Sequence, residues 1–339
     1  MKNETKKDAL FDLIKSLVET PGPSGQEHLI REVIKAEIKG HCDEMVTDAL
    51  GNLIARKGKK SEDGSRIMIS AHMDEIGLMV THIDENGFAR FMNIGGINPL
   101  TCIGGRVLFM NGISGVIGVE RLEPNTLPKL ENLFIDSGAA SAEESPVKVG
   151  DVAGFYRPAM QIGNRLVAKS MDDRIAAVIA IEAMKAVKST PHELYFVFSV
   201  QEEVGIRGAT TAAFGVDPDL GIAVDVTMTG DTPKARKMTV ALGNGPAIKV
   251  RDSSFIADTR IVNWMVNEAK AQKLPYQMEV LEFGGTDGRA IQMTRAGVPA
   301  GCLSVPCRYI HSPSEMVDRR DVENSIKLLT GLLSKVVTF

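Results

Sequence analysis

Aromatic residues are scarce in this chain of 339 residues: they make up 5% of it, and Trp264 is the only tryptophan. That scarcity argues against a base-stacking surface and against a cleft that stacks on sugars. There is no excess of either charge, since 39 Lys and Arg face 43 Asp and Glu for a net charge of −4. A balance so close to neutral gives no electrostatic reason for a nucleic-acid or membrane-surface partner. No stretch approaches the roughly 18 apolar residues of a membrane span. Asp12 and Lys15 interrupt the N-terminal MKNETKKDALFDLIKSL, so no signal peptide is expected. Asn3-Glu4-Thr5 has the form of a glycosylation sequon, which without secretion is a chance match. The four cysteines form no CxxC pair, and Cys302 and Cys307 read as packing residues. The expected setting is a reducing cytoplasm. A phosphate-cradling GxxxxGK[ST] or strand-linked GxGxxG is also missing.

What is present is an ordinary globular composition, 44% hydrophobic and 24% charged, in a length that predicts roughly two domains. Apolar positions at helical spacing predict helices over 4–20 and 26–39, with Thr20 to Gly25 as the stop between them. Short strands are expected at 52–57 and 66–72. From Ile76 to Ala168 the texture changes to short apolar or alternating runs separated by glycines (76–83, 87–94, 103–109, 113–119, 152–156), with no helix evident. Strand and helix then alternate: helices at 172–187, 207–214, 255–272 and 318–336, strands at 194–200, 220–225, 246–251, 276–281 and 298–305. The prediction is an α/β fold, a mainly parallel sheet flanked by helices, with a small β-rich domain inserted into it. The boundaries read as 1–75 and 168–339 for the α/β domain and 76–167 for the insert.

Four apolar runs end in candidate metal ligands: 67–71 leads to His72-Met73-Asp74-Glu75, 194–200 to Gln201-Glu202-Glu203, 220–224 to Asp225, and 298–305 through a loop to His311. Parallel strands present their C-terminal ends to one crevice, so distant residues can converge there. Asp172-Asp173 opens a helix, where the first acid can face the crevice and the second cap the helix. Taken singly, a strand-end Asp is a turn former, a Glu-Glu pair a solvated loop and His72 a structural histidine. Together they are a cluster of carboxylates that needs a counter-charge. Two histidines and three carboxylates without thiolates suit Zn, Co or Mn. Two cations sharing one carboxylate activate water and polarise a carbonyl. The glutamate left over from the Glu202-Glu203 pair is then free to act as a general base, if neighbours on an extended chain point to opposite sides.

His72-Met73-Asp74, Asp172-Asp173, Glu202-Glu203, Asp225 and His311-Ser312-Pro313-Ser314-Glu315, in this order, resemble the tetrahedral aminopeptidase family of two-metal exopeptidases. That family includes glutamyl aminopeptidases, and some members carry the label cellulase M or endoglucanase. The similarity also takes in Pro21 to Gln26, Gly51-Asn52-Leu53, residues 135–151 and Gly284-Gly285-Thr286-Asp287. It implies a zinc-exopeptidase-like fold whose inserted β-barrel-like domain serves dimerisation, and dimers that assemble to a dodecamer. It implies two divalent metal ions per subunit, Zn or Co, held by His72, Asp172, Glu203, Asp225 and His311, with Asp172 bridging. Glu202 would be the general base, Asp74 the acid that orients His72, and peptides the substrates.

Substrate choice is less legible. Lys249 and Arg251 precede the helix expected at 255 and offer a cation for an acidic N-terminal side chain, or else are solvated strand-edge charges. A competing class is a polysaccharide hydrolase working with two carboxylates, in which the two histidines have no role. A related metal-dependent deacylase is closer in chemistry and needs a basic residue for a free carboxylate.

Overall fold

The computed structural model describes residues 8–338. The first helix, α1 (Ala9–Glu19), buries Leu13, Ile14, Leu17 and Val18 on one face, and Asp8 caps it by accepting the Phe11 N–H at 3.2 Å. Residues 4–7 of that expected helix, and the Asn3-Glu4-Thr5 triplet, lie outside the described residues. Helix α2 (His28–Ile38) follows, then strands β1 (Glu44–Thr47), β2 (Leu53–Lys57) and β3 (Arg66–His72). After the segment that forms a barrel come β10 (Met160–Ile162), β11 (Arg165–Ala168), α4 (Met171–Ala186), β12 (Glu193–Ser199), α5 (Arg207–Val216) and β13 (Leu220–Thr227). The chain ends with β14 (Ala247–Arg251), α6 (Thr259–Ala271), β15 (Gln277–Val280), α7 (Asp287–Gln292), β16 (Ala300–Arg308), β17 (Glu315–Asp318) and α8 (Arg319–Leu333).

These strands form one sheet in the order β1-β2-β12-β3-β13-β16-β17-β11-β10, with β14 and β15 branching from β16. The expected mainly parallel sheet needs correction. Only β12–β3, β3–β13, β13–β16 and β14–β15 are parallel pairs, and the six others are antiparallel. Short connections such as 48–52 between β1 and β2 can only return a strand antiparallel, whereas the parallel centre is reached by helical crossovers. All eight residues of β13 are buried, with α4 and α7 both packed on it. Helix α4 lies beneath α1 and α8, which explains its buried run from Met171 to Ile181. Each such Ile or Val removed from water contributes about 1.5–3 kcal/mol.

Between β3 and β10 the chain forms a closed barrel of β4 (Gly77–Ile83), β5 (Ala89–Ile94), β6 (Arg106–Phe109), β7 (Ser114–Val119), β8 (Leu133–Asp136) and β9 (Val152–Phe155), ordered β4-β5-β8-β7-β6-β9. Leu78, Phe91, Val107, Phe109, Ile117 and Ile135 fill it. One turn of helix, α3 (Pro99–Cys102), capped by the Asn98 side chain, interrupts a segment expected to hold none.

Candidate metal centre

Strands β3, β12, β13 and β16 run parallel, and their C-terminal ends bring the candidate residues together. His72 is the last residue of β3. Its Nδ1 lies 3.2 Å from the Asp74 carbonyl and 3.4 Å from Asp74 Oδ1, which turns Nε2 toward the crevice. Asp74 is fully buried and accepts the Ser24 hydroxyl at 2.6 Å. It also accepts the N–H groups of Glu202 at 3.0 Å and Glu203 at 3.2 Å. The chain after β12 is therefore a turn pinned by Asp74, with Gln201 in the left-handed region (φ 56°), and not the extended segment expected there. The turn still separates the two glutamates: Glu203 reaches His311, while Glu202 has no side-chain partner of that kind among the described residues.

Asp172 occupies the head of α4 ahead of its regular helical turns. Its Oδ1 is 3.1 Å from His72 Nε2, and its Oδ2 is 3.3 Å from His311 Nε2. His311 Nε2 is also 3.2 Å from Glu203 Oε2. Asp225 joins the His72 side, where His72, Asp173 and Asp225 each place a ligand atom within 4.8 Å of the others. His72, Asp172 and Glu203 meet the same limit. Asp173 departs from expectation. It caps nothing; both of its carboxylate oxygens are buried without a hydrogen-bond partner.

Asp287, given no role by the sequence although it closes the Gly284-Gly285-Thr286-Asp287 motif, and two barrel-loop glycines also lie against the site. Asp287 is buried behind the site, accepting Ser70 Oγ at 2.6 Å and Ser199 Oγ at 2.5 Å, with Oδ1 unpartnered. The barrel loop reaches in at Gly95 and Gly96, where a Cβ on Gly96 would sit 2.8 Å from His311 Nδ1. A glycine at a barrel edge was the only available signal.

The electrostatics of the cluster fit a cation site. Burial pushes Glu202 and Asp225 well above the usual carboxylate range, and neighbouring carboxylates add to the shift. Burial opposes charge on His311, yet its bonds to Asp172 and Glu203 push its pKa up to about 11. The cluster thus balances its own negative charge with protons, a role that divalent cations fill with the same donors. Unpartnered buried oxygens on Glu203 and Asp173 and an imidazole and carboxylate donor set agree with that.

The sequence profile of the family described as M42 glutamyl aminopeptidase matches residues 51–328. The chain belongs to that family. It is therefore a peptidase, and the family's enzymes are metal-dependent aminopeptidases. The lysyl aminopeptidase of Pyrococcus furiosus is 36% identical over 96% of this chain and 97% of its own. The solved aminopeptidase of Desulfurococcus kamchatkensis superposes with a TM-score of 0.93 at 38% identity, covering 97% of this chain and 95% of that one. A Pyrococcus horikoshii TET1 peptidase, described as assembling into a tetrahedron or a large octahedral shell, has a TM-score of 0.86 at 33% identity, covering 96% and 99%.

Two cavities flank the loop that carries His311. One of about 730 Å³ lies beyond the ends of β13 and β16 and is walled by Met228, Met238, Met278, Val280, Phe283 and Tyr309. Three cations line it: Arg308 pairs with Asp231 at 2.7 Å and Arg236 with Glu282 at 3.7 Å, while Lys237 has no ion pair among the described residues. The other, of about 630 Å³, includes His311 and Arg157, and Arg157 donates to Ser314 Oγ at 2.6 Å. The expectation for Lys249 fails. It is fully buried and ion-paired with Glu279, because β14 is an inner branch of the sheet and not a solvated edge at this position. Neither Lys249 nor the exposed Arg251 lines the Met-walled cavity.

Proposed function

We propose that this chain removes N-terminal residues from peptides with two divalent cations, Zn or Co, held by His72, Asp172, Glu203, Asp225 and His311. The observation that carries the reading is the bifurcated setting of Asp172, with one carboxylate oxygen turned to each histidine at 3.1 and 3.3 Å. Bound there, the cations supply Lewis acidity to the carbonyl and lower the pKa of water. Glu202 takes a proton from the attacking water and returns it to the leaving amine as the C–N bond breaks. A carboxyl whose pKa is raised by burial is suited to both transfers. Asp74 holds the His72 ring by its Nδ1 side and anchors the Glu202-Glu203 turn.

The apolar walls of the Met-walled cavity and its paired edge arginines favour a large apolar N-terminal side chain, with Lys237 the one lining cation that has no ion pair among the described residues. We assign 1–75 and 168–339 to a catalytic domain and 76–167 to an inserted domain that serves dimerisation. Exposed Met92, Leu100, Leu127 and Val149 on the insert support a homo-oligomer, with dimers building a dodecamer. We assign the chain to the cytoplasm, a reading that four unpaired cysteines support. A polysaccharide hydrolase leaves both histidines without work and is not favoured.

The test is a panel of aminoacyl p-nitroanilides on chelator-treated protein with Zn or Co restored. Cation-dependent release, fastest for leucyl or methionyl substrates, is expected. Cleavage of cellulose oligomers without cleavage of any aminoacyl substrate would overturn the reading, and a tenfold preference for glutamyl substrates would overturn only the apolar assignment.

A further inference from the structure

Glu315, the first residue of β17, is 1% exposed. Both of its carboxylate oxygens are engaged, and both by backbone. Oε1 accepts the His311 N–H at 2.7 Å, and Oε2 accepts the Asp172 N–H at 2.9 Å, across 143 residues of sequence. Those are two of the candidate ligands. Neither N–H has another acceptor among the described residues. His311 sits in the left-handed region (φ 62°) on the 309–314 loop, outside any ladder. Asp172 sits ahead of the regular turns of α4, where a helix leaves its N–H groups unsatisfied.

We propose that Glu315 is a positioning residue that sets the spacing of Asp172 and His311. Through that spacing it sets the affinity of one cation position, the one bounded by His311, Glu203 and Oδ2 of Asp172. The inference rests on the two-cation reading above. The other position shares Asp172 through Oδ1, but its remaining donors, His72 and Asp225, end or lie within the β3 and β13 ladders and hold their places without Glu315. Glu315 is in neither of the two groups of side chains whose ligand atoms lie within 4.8 Å of one another, and each of its oxygens is turned to a backbone N–H. Of the side chains of this length, only a carboxylate offers an acceptor at both tips. A glutamine turns its NH2 against one of the two N–H groups, and no water reaches the buried pair to compensate.

The experiment uses the full chain, unsubstituted and as Glu315→Gln and Glu315→Asp. Cations bound per chain are measured against free Zn by equilibrium dialysis, and the Co(II) absorption spectrum is followed through the same titration. In Glu315→Gln, far-UV dichroism and assembly size are expected to be unchanged and the first equivalent to weaken much less than the second, since the two positions share only Asp172. The second equivalent is expected to weaken about 10–100-fold, with an altered Co(II) spectrum and activity restored by excess cation. Glu315→Asp keeps the charge but is one methylene too short to span both N–H groups, so it should show the same loss in milder form, and it decides the matter if the glutamine variant fails to fold. Unchanged affinity for both equivalents, equal loss of both, or an aspartate variant identical to the unsubstituted chain overturns the inference. If the unsubstituted chain binds fewer than two equivalents, the two-cation reading itself falls, and this inference with it.

Discussion

Among the described residues from 76 to 168 no charged residue is buried, whereas the α/β body on either side buries His72, Asp74, Glu75, Lys169, Asp172 and Asp225. Both regions close their backbone ladders and pack apolar cores, so the contrast does not come from the strength of the fold. It comes from geometry. The parallel centre of the sheet gathers four strand ends at one rim, where carboxylates can share counter-charges. A closed barrel has an interior of side chains only, and nothing there repays the burial of a charge. The region that carries chemistry is thus the one that tolerates energetically expensive residues.

The largest effect that can challenge this contrast is on turnover. Glu202→Gln should lower kcat about 10²–10⁴-fold while cation content and thermal unfolding stay as they were; residual activity above a few per cent removes Glu202 from its role. Next is the buried ion pair. Lys249→Met should destabilise the chain by about 3–5 kcal/mol in urea unfolding, because Glu279 is left buried with only Thr227 at 2.7 Å to satisfy it and the buried Asp252 loses its cation at 3.9 Å. Replacing Lys249 and Glu279 together with Met and Leu should recover most of the loss, and a double variant as unstable as the single one would show that the charge was not the cause. In the barrel, Phe109→Ala should cost about 3 kcal/mol by leaving a cavity, with kcat per folded chain unchanged. A matching fall in kcat would mean that the barrel is not independent of the chemistry.

The smallest effect is electrostatic and lies beside the Met-walled cavity. Asp231 meets Arg308 through both oxygens at 2.9 and 2.7 Å, and although burial opposes it, this pairing holds the Asp231 carboxyl far below its ordinary 3.8. A carboxylate with a depressed pKa stabilises the fold above its unfolded value and loses that contribution as pH falls. Asp231→Asn should therefore cost about 1 kcal/mol at pH 7, and the gap between the two proteins should close steadily below pH 4. A gap that is constant with pH would assign the cost to packing.

His72 and the Glu202-Glu203 pair were legible because the hydrophobic runs stop at or just before them; the run before Asp225 marks its strand but not the rim, since β13 goes on to Thr227. Helix α6 was legible to within four residues; the error at its start is Asp258, whose side chain accepts the Arg260 N–H at 2.8 Å and sets the cap later than the apolar pattern begins. Strands β1, with all four residues exposed, and β10, with all three exposed, have no buried face to leave a pattern. Helix α7 was hidden by the glycine-rich 283–288 loop, because its cap at Thr286 follows two glycines. Asp287 and Glu315 were quoted within motifs, but what they hold was not readable. Their partners are hydroxyls and backbone N–H groups brought in by other strands, and single-chain spacing carries no trace of such contacts.

One buried ion pair reaches beyond the site. Glu75 ends the segment before the barrel and Lys169 begins the segment after it, and their side chains meet at 2.6 Å, with Arg174 3.6 Å from the same carboxylate. The two ends of the excursion are thereby fastened at a neck. Once a neck is tied, the entropy of closing the loop grows only with the logarithm of its length, about 0.6 kcal/mol for each doubling. Away from the Gly95-Gly96 loop that touches His311 and Glu203, the barrel can then lengthen or shorten at small thermodynamic consequence. Glu75, gripped by Lys169 and Arg174, thus limits how far a change of length in the barrel is felt in the α/β body.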